Sequence, residues 1–215
     1  MNEPNPSTGR SPDSPGLVQA LPRFVADDAT ALFRCHLQGD KPPYFNWRGT
    51  GRFHPPAGWT PVYGTCCTAY EAVIAVVEVW GDRETGAEEL NERYRVSAIW
   101  PTSRREVADL TGPDARELLG EELSLRIQTS PDRDVTQPWG AKMNQYFDGV
   151  RHMSRWADDP AALCIAFFGG PGEDLTAMGV GPPEQLGDLI VRAEQEYGLR
   201  TFPESPRGYP ETLLY

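Results

Sequence analysis

The chain has no long hydrophobic run, few cysteines and histidines, and no excess of positive charge. No apolar stretch approaches the roughly 20 residues that span a bilayer, so a membrane protein is not expected. The segment from Met1 to Gly16 is rich in Pro, Ser and Asn and has no apolar centre, so it does not read as a secretory signal. With 20 Lys and Arg against 31 Asp and Glu the net charge is −11, and a nucleic-acid binder would normally show a basic face. Such acidity serves solubility and would also suit a basic partner. The four cysteines, Cys35, Cys66, Cys67 and Cys164, form no CxxC pair, and adjacent Cys66 and Cys67 are a poor basis for disulfides. They read as reduced thiols, small packing residues in a cytoplasmic protein. His36, His54 and His152 show neither HxxxH nor HExxH spacing, so no metal site is expected. The chain also lacks a GxGxxG or GxxxxGKS phosphate loop, and Gly169-Gly170-Pro171-Gly172 reads as a plain turn.

What is present fits one globular domain. The chain has 215 residues, 39% of them hydrophobic, enough for a sizeable core. Residues 1–20 read as a disordered lead, 21–200 as the folded domain, and 201–215 as a tail with three prolines and an apolar end. Ala31–Leu37 and Pro61–Thr65 read as strands. The aromatic and Pro/Gly-rich stretch from Lys41 to Gly58 reads as a packed loop. Thr68-Ala-Tyr-Glu71 has the form of a capping box and predicts a helix over 69–80, although its Val and Ile content also fits a strand. Arg93–Trp100 and Ala161–Phe168 read as strands, Pro113–Leu123, Pro138–Phe147 and Pro183–Tyr197 as helices, and Gly149–Arg155 as a segment leading outward. Short strands with helices between them predict a mixed α+β domain with a compact mixed β-sheet core and flanking helices.

Within the apolar run from Ala72 to Trp80 stands one acid, Glu78. A charge in such a run is costly to bury unless it is paired or used. Upstream lie Arg34, the Gly51-Arg52-Phe53 turn and Tyr63. Read plainly, the arginines are surface or salt-bridged, Tyr63 is a core tyrosine, and Glu71 is a helix cap. No Ser/His/Asp or Cys/His arrangement for a covalent nucleophile is evident.

Taken together, several segments resemble the RES domain family. They are Leu32-Phe-Arg34, Gly51-Arg52-Phe53-x-Pro-Pro56, Val62-Tyr63, the Ala-rich helix with a Glu, Asp109-Leu-Thr111, Leu119-Gly120, Gln137-x-Trp139 and Asp148-Gly-Val-x-x-x-Ser-Arg155. The resemblance runs from about Leu32 to Phe168. It implies an ADP-ribosyltransferase-like fold and a bacterial toxin that depletes NAD by hydrolysis or phosphorolysis. NAD would be substrate, with no cofactor, and an Xre-type antitoxin would cover the active site.

By the same resemblance Arg34, Arg52, Tyr63 and Ser154 match the family's site positions. The family's usual spacing after the tyrosine points near Ile74, so Glu71 and Glu78, about one helical turn before and after it, are both candidates for the carboxylate. Arginine is suited to phosphate, being planar, permanently charged and bidentate, and Arg34 and Arg52 are the candidates for the pyrophosphate. Tyr63 would stack on a ring or bind a ribose, and Ser154 would bind the nicotinamide amide or a ribose hydroxyl. Cleaving the nicotinamide–ribose bond builds positive charge on the ribose, which the glutamate would face. Arg155 reads as a structural ion-pair partner. A catalytically weak RES-like protein that binds a nucleotide or a partner, and an ADP-ribosyltransferase acting on a macromolecule, are the alternatives.

Overall fold

The protein is described from a computed structural model, which covers residues 10–60, 62–81 and 85–202. In chain order the elements are β1 (Arg23–Ala26), β2 (Leu32–Leu37), β3 (Tyr44–Phe45), β4 (Gly64–Ala69), α1 (Ala72–Trp80), β5 (Thr85–Gly86), α2 (Ala87–Arg93), β6 (Tyr94–Pro101) and β7 (Arg105–Asp109). Then follow α3 (Pro113–Leu119), α4 (Glu121–Thr129), α5 (Arg133–Met143), β8 (Gly149–Met153), β9 (Leu163–Gly169), β10 (Gly172–Glu173), β11 (Met178–Val180), β12 (Glu184–Gln185), α6 (Asp188–Tyr197) and β13 (Thr201–Phe202). The fold is mixed α+β, as expected. Its main sheet runs β1-β7-β8-β9-β4-β2-β6-β11, with β12 also on β6. Among the described residues only β7 and β8 pair in parallel within it, and α3 to α5 form the crossover between them.

Side-chain alternation divides this sheet into two faces. On β9, Cys164 joins the core under α1, Ala166 and Phe168 join the core under α3 to α5, and Ile165 and Phe167 point to the opposite face. One face therefore carries two helical groups side by side. The α1 group packs Val73, Ile74, Val76 and Val77 against Cys35, Ala69 and Val96. Each such buried side chain is worth about 1.5–3 kcal/mol. The second group packs Leu119, Ile127, Trp139 and Met143 onto Val150 and Ala166. A gap between the two groups exposes the sheet floor.

Several local expectations change. The helix starts at Ala72, after β4 has run to Ala69. The capping box does not form, because the Thr68 hydroxyl donates to the Ile165 carbonyl of β9 and Glu71 makes no side-chain cap. A helix wins over a strand for this Val-rich run because five consecutive residues, Val73 to Val77, are buried, which a helix covered on several sides allows. The strand expected over 61–65 begins at Gly64, Pro61 lying outside the described residues. The helix expected over 113–123 is two, broken at Gly120, whose φ of 84° suits glycine. The helix expected at 138–147 spans Arg133–Met143 with Pro138 inside it. Gly149–Met153 does not lead outward but forms β8, between β7 and β9. The last helix ends at the expected Gly198 but starts at Asp188, since Glu184 and Gln185 pair with β6.

Residues 10–20, expected as part of a disordered lead, instead form turns on the body, with Val18 buried in the core under α3 to α5. Of the expected tail only Thr201 and Phe202 are described, pairing with β5. Among the described residues no helix is long and apolar enough to cross a membrane, and no metal-ligating cluster occurs.

Candidate active site

The gap between the helical groups is a cleft of about 460 Å³. Its floor is strand: Cys67 and Ala69 of β4, Cys164 of β9 and His152 of β8. One wall is α1, through Ala75, Glu78 and Val79. The other is the turn Thr50–Phe53 together with Pro131 and Arg133 at the start of α5, and Arg155 also lines the space.

The Gly51-Arg52-Phe53 turn is locked from three sides. The Gly51 amide donates to His54 Nδ1 at 2.9 Å, and a Cβ on Gly51 would come within 2.4 Å of that imidazole. Gln137 Nε2 donates to the Gly49 carbonyl at 2.8 Å and the Gly51 carbonyl at 3.1 Å. The Tyr63 hydroxyl donates to the Phe53 carbonyl at 2.9 Å. The turn aims Arg52 into the cleft, where one terminal nitrogen donates to the Gln128 carbonyl at the end of α4 and the other to Glu78 Oε2 at 3.0 Å.

Glu78 is held on both oxygens. Ser154 Oγ donates to its Oε1 at 2.7 Å. Burial pushes the Glu78 carboxyl up, but Arg52 foremost, with the Ser154 hydrogen bond and Arg155, outweighs it and holds the group below its usual range. It is a carboxylate at neutral pH. His152 is buried beneath this pair with its ring 5.0 Å from that of Phe53. Burial first, then Arg52, brings its imidazole down to about 4. It is therefore neutral, and its Nδ1 donates to the Met153 carbonyl at 2.9 Å. That proton excludes acceptance from Arg52, whose 3.5 Å approach to Nδ1 is a packing contact.

Gln128 carries no signal in the sequence, yet it ties this arrangement together. Its side-chain carbonyl accepts from the Met153 amide at 3.1 Å, and its amide reaches the Ser124 carbonyl and hydroxyl. One residue thus joins α4, the turn arginine and β8. Cys67 is exposed on the cleft floor, but desolvation in this recess pushes its thiol up to about 11, so it is no thiolate nucleophile at neutral pH.

Of the six expected site residues, Arg52 and Glu78 line the cleft, and Ser154 lies behind Glu78, itself only 1% exposed. Tyr63 is buried beside Phe168, with its ring edge-on and its hydroxyl raised above the usual range by burial, and does not line the cleft. Arg34 alternates with Cys35, so it leaves the α1 face of the sheet and points to the other, donating to Cys66 Sγ at 2.6 Å. Glu71 precedes the helix with extended backbone, is exposed, and lies 3.9 Å from Arg192 of α6. Ile74, where the family spacing points, is fully buried core.

No family model matches the chain, and no curated protein matches its sequence significantly. Among solved structures the chain is similar to a chain of the MbcT–MbcA toxin–antitoxin complex of M. tuberculosis. The match has a TM-score of 0.56 at 20% identity, covering 80% of this chain and 93% of the other, so the likeness is one of fold.

Proposed function

We propose that this protein is an NAD-degrading enzyme that cleaves the nicotinamide–ribose bond and passes ADP-ribose to water or phosphate, as the toxin of a toxin–antitoxin pair. The observation that carries the reading is Glu78, an ionised carboxylate on the cleft wall held by Arg52 and Ser154. A fixed carboxylate stabilises positive charge developing on a ribose without needing to reorganise at the moment of reaction. The sequence resemblance to the RES family supplies the substrate. The fold likeness to a chain of a toxin–antitoxin complex supports an antitoxin partner, of Xre type by the resemblance. No covalent nucleophile is required, since the leaving nicotinamide is already a good leaving group and the acceptor attacks the ribose directly.

Incubating purified protein, freed of any bound partner, with NAD in the presence and absence of phosphate and following nicotinamide release tests the reading. Absence of release in both conditions would refute it. One observation favours a second reading, that of a nucleotide-binding protein without turnover. Both Glu78 oxygens are already occupied. Calorimetry showing tight ADP-ribose binding, with no nicotinamide released from NAD, would select it.

A further inference from the structure

Glu78 takes its two hydrogen bonds from elements far apart in the chain. Arg52, in the glycine turn after β3, reaches Oε2 at 3.0 Å. Ser154, the residue after β8, reaches Oε1 at 2.7 Å. Gln128, next to last in α4, supports both donors. Its backbone carbonyl accepts from the other terminal nitrogen of Arg52. Its side-chain Oε1 accepts from the Met153 amide at 3.1 Å, one residue before Ser154. The bonds close a ring that runs from Gln128 through Arg52, Glu78 and Ser154 and returns through Met153.

The orientation of the Gln128 amide is fixed by its partners. The Ser124 carbonyl, 3.2 Å away, can only accept and the Met153 amide can only donate, so Nε2 faces the first and Oε1 the second. Gln128 is buried, and a buried amide is costly unless its polar atoms are paired, as these are. Two further bonds hold the same peptide segment. His152 Nδ1 donates to the Met153 carbonyl at 2.9 Å, and the Ser154 amide donates to the Ala162 carbonyl at 2.7 Å. Of these three supports, Gln128 is the one that also holds Arg52.

We propose that Gln128 is a positioning residue for NAD cleavage, setting the two donors in register so that the Glu78 carboxylate is held at one angle in the cleft. The inference rests on the reading of Glu78 as the carboxylate that faces the ribose. Gln128 acts through Arg52 and Ser154 and is not among the residues lining the cleft. Its side chain ties the last turn of α4 to the end of β8, and so fixes where its own backbone carbonyl meets Arg52. A network bonded at every joint holds its members more rigidly than separate pairs would. Because the carboxylate matters most as charge develops on the ribose, losing this rigidity should show in kcat more than in KM.

The full chain is compared as wild type, Gln128→Met, Gln128→Asn and Ile127→Val. Methionine keeps the length of the side chain, and asparagine keeps the amide but stops short of Met153. Ile127 is buried in the same helix outside the ring, so its truncation controls for lost stability, followed by melting temperature. NMR at neutral pH reads the Arg52 guanidinium, assigned by its loss in Arg52→Lys. Wild type and Ile127→Val are expected to give separate Nη proton signals, and both Gln128 variants a single averaged one. In NAD turnover both Gln128 variants are expected to lose at least about tenfold in kcat with KM within about threefold, and Ile127→Val to keep kcat within about twofold. An averaged signal already in wild type, separate signals in both Gln128 variants, or a kcat in Ile127→Val that falls as far as theirs would overturn the proposal. If wild type releases no nicotinamide, averaging confined to the Gln128 variants would uphold Gln128 as the anchor of the pair and end the NAD-cleavage reading alone. Release by wild type with unchanged kcat in the Gln128 variants would end the positioning role and leave NAD cleavage standing.

Discussion

Arg52 and Glu78 meet at 3.0 Å although 26 positions separate them, the arginine from a glycine turn and the acid from the last turn of α1. Their side chains are 12% and 20% exposed, so this is a shielded pair rather than a surface one. Removing one partner strands a charge in a recess. Arg52→Met is expected to lower stability by about 3 kcal/mol, read as a lower urea midpoint at unchanged slope. A loss below about 0.5 kcal/mol would place the pair with the exposed kind that contributes little.

The two acids of the α1 region are expected to separate cleanly. Glu78→Gln keeps the shape of the side chain but removes the charge facing the cleft, and should reduce kcat for nicotinamide release by about a hundredfold or more. Glu71→Gln alters an exposed carboxylate 3.9 Å from Arg192 and should leave kcat within about twofold. The converse pattern in a nicotinamide-release assay would show that the wrong carboxylate is held in the cleft.

Ser154→Ala removes one of the two donors to Glu78. A hydrogen bond to a charged group is worth about 1.5–3 kcal/mol, so turnover should drop about tenfold to a hundredfold. Because Ser154 is among the groups lowering the Glu78 pKa, the acid limb of the kcat/KM profile should also move to higher pH. A drop in rate with an unmoved acid limb would argue that Ser154 acts on the substrate and not through Glu78.

Acid should unfold this protein earlier than its surface charge suggests. His54 and His152 are buried and held down to about 4, from an ordinary value of 6.5. The unfolded chain therefore binds protons that the folded one refuses, so stability is complete above about pH 6.5 and is lost as pH falls toward 4. Each histidine contributes on the order of 3 kcal/mol across that window. Glu78, whose folded pKa is lowered, adds its share below about 4.5, lost as pH falls through its folded value. Urea midpoints taken between pH 8 and pH 4 should be level at first and then decline below about 6.5. A level midpoint down to pH 5 would mean that the two imidazoles take up protons without unfolding the chain.

The strands and helices with strong periodicity are legible in the sequence, and the ones set by partners are not. Leu32–Leu37, Tyr94–Pro101 and Leu163–Gly169 alternate or run apolar, and they form central strands of the sheet. α4 escaped because Gly120 divides what looks like one helix, and its polar residues give a weak apolar stripe. The capping box failed for a tertiary reason: Thr68 belongs to β4, and its hydroxyl found the neighbouring strand before it could cap a helix. In the site, Glu78 stood out as the only charge in an apolar run. Gln128 and Arg133 lie in polar stretches where nothing marks them, and Gln128 acts partly through a backbone carbonyl that any residue possesses.

By itself the sequence determined the class of fold, the presence of a glycine turn bearing an arginine, and the anomaly of one acid among apolar residues. These follow from local periodicity, turn chemistry and the cost of burying charge. Only the tertiary structure decided between Glu71 and Glu78, because residues seven apart share a helix face only if both are in the helix, and Glu71 is not. It alone sent Arg34 to the far face, through the two-residue alternation of β2 in its register with β6. And it alone brought Arg52, Glu78 and Ser154 within hydrogen-bonding distance, because their meeting depends on how α1, α4 and β8 pack around one cleft.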